Sequence, residues 1–146
     1  MSGFLNLSEA AALAIHTMVL LAGHTAERLT TRQIAREFNA SENHLAKVMQ
    51  QLVKNNLLNS TRGPAGGFQI NHALGDITLM DVYEAIDGKF ADSPCLFGAP
   101  VCSGTHCVLG NLANDLYIRI RDYFRDITLE DLQDNPVATR ALGWQT

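Results

Sequence analysis

With 146 residues, of which 47% are apolar, the chain can bury one good core and an appended element. It holds no run of about 18 apolar residues, which excludes a membrane span, and it does not begin like a signal peptide, so it reads as cytoplasmic. The net charge of −4 argues against a nucleic-acid binder until it is divided along the chain. Residues 28–62 carry six Lys/Arg against Glu37 and Glu42, whereas residues 63–146 carry five against eleven Asp/Glu. Attraction to phosphate is local, over a screening length of ~8–10 Å, so a basic block can act inside an acidic chain.

In chain order, Leu7 to Gly23 reads as an Ala- and Leu-rich helix that ends at a glycine. It is apolar nearly all round, with Glu9 and His16 as polar exceptions seven apart on one face. Thr31 to Phe38 is a short helix with Ile34, Ala35 and Phe38 inward. Asn39-Ala40 makes a tight connection, and Ser41 caps the next helix. There Leu45, Val48, Met49, Leu52 and Val53 form one apolar stripe, while Asn43, His44, Lys47, Gln51 and Lys54 bring donors to the opposite face. Short helix, turn and longer helix form the helix-turn-helix pattern. Leu57–Thr61 and Phe68–Ile70 then flank Arg62-Gly63-Pro64-Ala65-Gly66-Gly67, a hairpin with glycines for positive φ and an arginine at its base. The expected task is a helix in the major groove and a wing on the minor groove.

Thr78-Leu79-Met80-Asp81 has the form of a capping box, opening a helix to about Asp87 that Gly88 closes. Residues 89–107 are irregular, broken by Pro94, Gly98, Pro100 and Gly104, and hold all three cysteines, Cys95, Cys102 and Cys107. An odd number in one loop favours a metal or redox site over a disulfide framework, and thiolates suit iron–sulfur clusters, Zn or Cu(I). The C-x6-C-x4-C spacing alone chooses none of these. From Val108, Leu109, Leu112, Leu116, Ile120, Phe124 and Ile127 mark a helix of about 19 residues, or ~28 Å. So long a stripe packs against a copy of itself or across its own N-terminal domain. Thr128–Asp131 repeats the capping-box pattern, Asn135-Pro136 ends that element, and the last ten residues look loosely specified. The expected fold is mainly α with a small β-hairpin wing. Residues 1–88 are a winged helix-turn-helix DNA-binding domain, 89–107 a cysteine-bearing loop, and 108–146 a long C-terminal dimerisation helix and tail.

The wing Arg62-Gly63-Pro64-Ala65-Gly66-Gly67-Phe68, Thr78–Val82 through Ile86-Asp87-Gly88, the cysteine loop and the long helix together resemble the Rrf-two family of bacterial transcriptional regulators. The resemblance implies a homodimeric winged-helix repressor that binds double-stranded DNA at a palindromic operator. In the cysteine-bearing branch it also implies an iron–sulfur cluster that controls binding. By position, Ser41, Asn43, His44 and Lys47 would face bases and phosphates. Arg62 would enter the minor groove beside Gly66, and Thr30 or Thr31 would meet a phosphate. Cys95, Cys102 and Cys107 would hold the cluster. One branch of the family supplies a fourth ligand three residues after the last cysteine, where this chain has Gly110. Another uses an acid in the first helix, here Ala12, and a third a histidine one turn further along, which is His16. His16 from the partner chain is therefore the first candidate, with Glu9 and His106 behind it. Iron supply, redox state and nitric oxide are all fitting signals.

Two other readings stay open. One is a cluster-free regulator of the same fold, controlled by thiol oxidation or a protein partner. The other is a Zn-stabilised interaction module. An enzyme is not expected: there is no phosphate loop, paired carboxylates or oxyanion-hole motif, and His106 is the only base beside a cysteine.

Overall fold

The structure, a computed structural model, describes residues 6–97, 101–102, 106–140 and 142; the expected breakers Gly98, Pro100 and Gly104 lie outside them. Helix α1 (Glu9–Ala22) starts where Ser8 Oγ accepts the Ala11 N–H. Its start is also tied to a distant residue, because Ser8 N–H and the Ser8 hydroxyl donate to the two carboxylate oxygens of Asp87 at 3.0 and 2.5 Å. Every residue from Thr17 to Ala22 is buried, as a helix apolar nearly all round requires. At Gly23 an added Cβ would run into the backbone carbonyl of Ala138. That glycine gives room for a remote segment to pass.

Helix α2 (Thr31–Phe38) is opened by a reciprocal capping box of Thr30 and Gln33 and closed by Asn39 at φ 50°, a left-handed position that asparagine tolerates. Helix α3 (Glu42–Lys54) starts at Ser41 and buries Leu45, Val48, Met49 and Leu52. Strands β1 (Leu58–Thr61) and β2 (Gly67–Ile70) pair antiparallel, Leu58 opposite Ile70 and Thr61 opposite Gly67. Leu29 adds a further rung, exchanging backbone bonds of 3.1 and 2.8 Å with Phe68. The α1–α2 linker thus runs beside the wing. Gly67, at φ 137°, is needed twice: its backbone is left-handed, and a Cβ there would lie 2.8 Å from the Leu29 carbonyl oxygen.

Helix α4 (Leu79–Asp87) has the expected Thr78–Asp81 capping box and ends at Gly88, φ 81°. Helix α5 (Leu112–Asp126) is shorter than the expected 19 residues, with 15. Residues 108–111 form turns instead, because Gly110 takes a left-handed φ of 58° that interrupts the helical path. One face of α5 lies across its own chain: Ala113 and Tyr117 are buried, with Leu116, Ile120 and Phe124 half-buried, against Ala11, Met80, Tyr83 and Phe90. Leu112 and Tyr123 remain 56% and 52% exposed.

After α5 the chain returns to the main core. Leu79 N–H donates to the Ile127 carbonyl and Leu129 N–H to the Ile77 carbonyl, each at 3.0 Å. The Thr128–Asp131 bonds close as expected, but they open a run of turns rather than a helix. Leu129, Ala138 and Leu142 are buried among Met18, Leu20, Ile34, Leu45 and Leu52. The C-terminal stretch expected to be loosely specified therefore supplies core residues. No helix among the described residues is long and apolar enough to cross a membrane.

Candidate functional site

The outer face of α3 presents Asn43, Lys47, Gln50 and Lys54, all exposed and three or four residues apart, so they stack along one side. Ser41 is exposed, but its Oγ already accepts the His44 N–H at 3.3 Å. His44 differs from Asn43 and Lys47 in exposure. It is half-buried, and its Nε2 is buried without a hydrogen-bond partner, because its position on the helix turns the ring toward the protein. Gln50 went unremarked in the sequence although it lies three residues after Lys47; that spacing was the available signal.

Between the C-terminal half of α3, the start of α2 and the wing runs a groove lined by Thr31, Gln50, Lys54, Ser60, Arg62 and Gly66, among others. Arg62 is exposed, at the end of β1 where the wing turns. Gly66 is held by its own loop, since a Cβ there would strike the Thr61 carbonyl and approach that of Gly63 within 2.8 Å. Thr30 and Thr31 both line the groove, and the Thr30 hydroxyl is engaged in the capping box. Arg32 is shared with Glu42 at 3.5 Å, both well exposed, a weak pair that a phosphate can displace.

The second candidate site lies at the N-terminal end of α5. Cys95, Cys102, Cys107 and His106 line one cavity of about 690 Å³, closed on one side by Ala113 and Asn114 and otherwise largely apolar through Leu96, Phe97, Val101 and Leu109. Cys107 is exposed, and Cys95 and Cys102 are half-buried. Leu109 N–H donates to Cys107 Sγ at 3.4 Å. Soft donors in an apolar pocket with an N–H on sulfur fit an iron–sulfur cluster in chemistry. Among the described residues, no three His, Cys, Asp or Glu side chains are gathered closely enough to hold a metal ion. The site is thus a shared cavity, with its donors apart.

The first-helix candidates do not line this cavity. His16 is exposed, with its ring edge-on to Phe38 at 6.1 Å between centroids. Its Nδ1 donates to the Ala12 carbonyl at 2.7 Å, which in the neutral ring leaves the lone pair on Nε2, as in metal-binding histidines oriented by a backbone carbonyl. Glu9 is exposed in the first turn of α1. Beside the cavity, Tyr83, Phe90, Tyr117 and Phe124 pack ring to ring. Tyr117 donates to the Ala91 carbonyl at 3.1 Å, anchoring the start of the loop to α5. Burial, helped by Asp87 and Glu84, pushes the Tyr83 phenol up.

Comparison with known proteins places the fold in a family. Residues 7–135 match the family model Rrf2, described as an iron-dependent transcriptional regulator. The chain is 30% identical to the HTH-type transcriptional regulator IscR of Vibrio atlanticus over 91% of its own length and 78% of that protein. It is 28% identical to IscR of Pectobacterium carotovorum over 90% and 80%. In fold it is similar to CymR, the global cysteine regulator of B. subtilis, with a TM-score of 0.72 and 22% identity over 88% of this chain and 95% of that one. IscR of T. potens superposes with a TM-score of 0.68 at 23% identity, covering 96% and 95%. With its helix-turn-helix, hairpin wing and crossing C-terminal helix, the chain belongs to the Rrf2 (Rrf-two) family of DNA-binding transcriptional regulators, which are not enzymes.

Proposed function

We propose that this regulator binds a palindromic operator as a homodimer, and that an iron–sulfur cluster held by Cys95, Cys102 and Cys107 governs that binding. The observation that carries the proposal is the single apolar cavity onto which all three thiols open. When bound, the cluster supplies iron whose oxidation, nitrosylation or loss alters its charge and its hold on the protein. The chain's own residues do the rest. Leu109 N–H holds Cys107 Sγ by a hydrogen bond, and Tyr117 ties the loop to α5. His16 of one protomer, with the lone pair on Nε2, serves the cavity of the other.

At the DNA, Asn43, Lys47 and Gln50 face base edges and phosphates in the major groove, where Asn and Gln can bridge adenine and Lys can reach guanine. Ser41 and Thr31 approach the phosphates. Arg62 enters the minor groove, whose narrow A·T-rich segments focus negative potential. Dimerisation through the exposed side of α5, Leu112 and Tyr123 included, spaces the two heads about one helical turn apart, ~34 Å. Cluster state sets the relative angle of those heads, and a few kcal/mol of bias shifts such an equilibrium by orders of magnitude.

The test is an anaerobic absorption spectrum with iron and sulfide analysis, followed by operator binding before and after cluster removal. Visible absorption with both elements, and binding that depends on them, are the expected results. A second reading, a cluster-free thiol or protein-partner sensor, is favoured by the separation of the donor groups and the exposed Cys107. A protein colourless after anaerobic reconstitution would replace the first reading with it.

A further inference from the structure

Of the six basic residues between positions 28 and 62, Arg32, Arg36, Lys47, Lys54 and Arg62 are exposed and only Arg28 is half-buried. Its Nη1 donates to Asn59 Oδ1 on β1 at 3.0 Å. That amide is engaged on its other side as well: Asn59 Nδ2 donates to Asn71 Oδ1 at 3.4 Å, and Asn71 Nδ2 donates to Asn56 Oδ1 at 2.5 Å. Asn56 stands in the turn between α3 and β1 at φ 60°. One chain of side-chain bonds therefore runs from the α1–α2 linker, across β1, to the segment after β2 and back to the end of α3.

The same linker holds β2 by two further means. Leu29 exchanges backbone bonds with Phe68, and Gln69 Nε2 donates to the Thr25 carbonyl at 2.6 Å. A two-stranded hairpin is marginal by itself in water, and this one has four residues in each strand. Its angle to α3 is set by what grips it from outside. A guanidinium suits that duty, because its donors lie in a rigid plane and stay charged at any relevant pH.

We infer that Arg28 is a positioning residue for DNA binding, which sets through Asn59 the angle at which the wing presents Arg62, and is not a phosphate ligand. The inference rests on the minor-groove role proposed for Arg62. A count of charges would score Arg28 as a sixth phosphate contact; its burial and its committed Nη1 separate it from the other five. Its effect on affinity passes entirely through Arg62.

A double-mutant cycle on the full-length chain tests this, read by fluorescence anisotropy with a duplex selected from a random-sequence pool on the wild-type protein. Arg28→Met and Arg62→Ala are each expected to weaken binding by about tenfold, and the double variant should bind no more weakly than Arg62→Ala alone. Additive losses would make Arg28 an independent contact and overturn the inference, as would full affinity in Arg28→Met. Full affinity in Arg62→Ala would instead remove the role of the wing, and this inference with it. Asn59→Ala, which cuts the same bond and leaves the arginine in place, should reproduce Arg28→Met. It carries the cycle if that variant does not fold.

Discussion

The wing and the cysteine loop both carry exposed side chains, and they are secured in different ways. The wing is tied on every side by bonds within the protein. Leu29 pairs with β2, Arg28 and Asn71 hold Asn59, and Gly67 is shaped by the backbone beside it. The cysteine loop has one anchored beginning, at Ala91 and Phe90, and then opens on a cavity. Around it Phe97, Val101 and Val108 are 51%, 65% and 88% exposed. Reading DNA needs a head that is already rigid, whereas sensing needs donors whose arrangement a ligand can change.

That contrast breaks down or sharpens under substitution. The largest expected effect is all-or-none: Cys102→Ser should abolish visible absorption and bound iron, while the iron-free protein keeps its urea midpoint to within about 0.5 kcal/mol of stability. Retained iron would show that the cavity is not the cluster site. Gly67→Ala tests the other region, combining a left-handed φ with a 2.8 Å approach to Leu29, and should cost about 3 kcal/mol in urea denaturation. Gly63 has positive φ but open space around it, so Gly63→Ala should cost about 1 kcal/mol; equal costs would mean the Leu29 rung is not formed.

Smaller again, His16→Ala should change the spectrum or lability of the cluster with the dimer intact by sedimentation, and an unchanged spectrum would remove His16 from the site. The smallest effect is at Asp131, whose carboxyl is held below its ordinary value by the Thr128 backbone N–H and then by its hydroxyl. With the folded value depressed, its contribution is present above the ordinary carboxylate range and lost as pH falls through the depressed value. Asp131→Asn should flatten that part of the stability–pH curve, and curves of the same shape would show that the cap is idle.

Much of the reading head was legible because its determinants are local. Ser41 and Thr78, read as caps, each stand at a helix start and accept a backbone N–H, the structure adds Ser8 and Thr30 in the same role, and the apolar period told which face turns inward. The Arg62–Gly67 turn was equally readable. The partial burial of His44 was not legible, because donor chemistry says nothing of rotation about the helix axis, and its Nε2 is buried. The long helix was overextended because its apolar period runs past Gly110, whose left-handed φ starts the helix later.

Alone, the sequence determined the order of helices, the hairpin, the clustering of cysteines and the basic stretch, since caps, glycines and periodicity act over three or four residues. Only the tertiary structure decided the rest. It brought Ala138 onto Gly23 and Leu142 into the core, laid α5 over Tyr83 and Phe90, and gave Arg28 to Asn59 rather than to solvent. Those contacts join residues far apart in the chain, and their partners are chosen by packing, which no local pattern encodes.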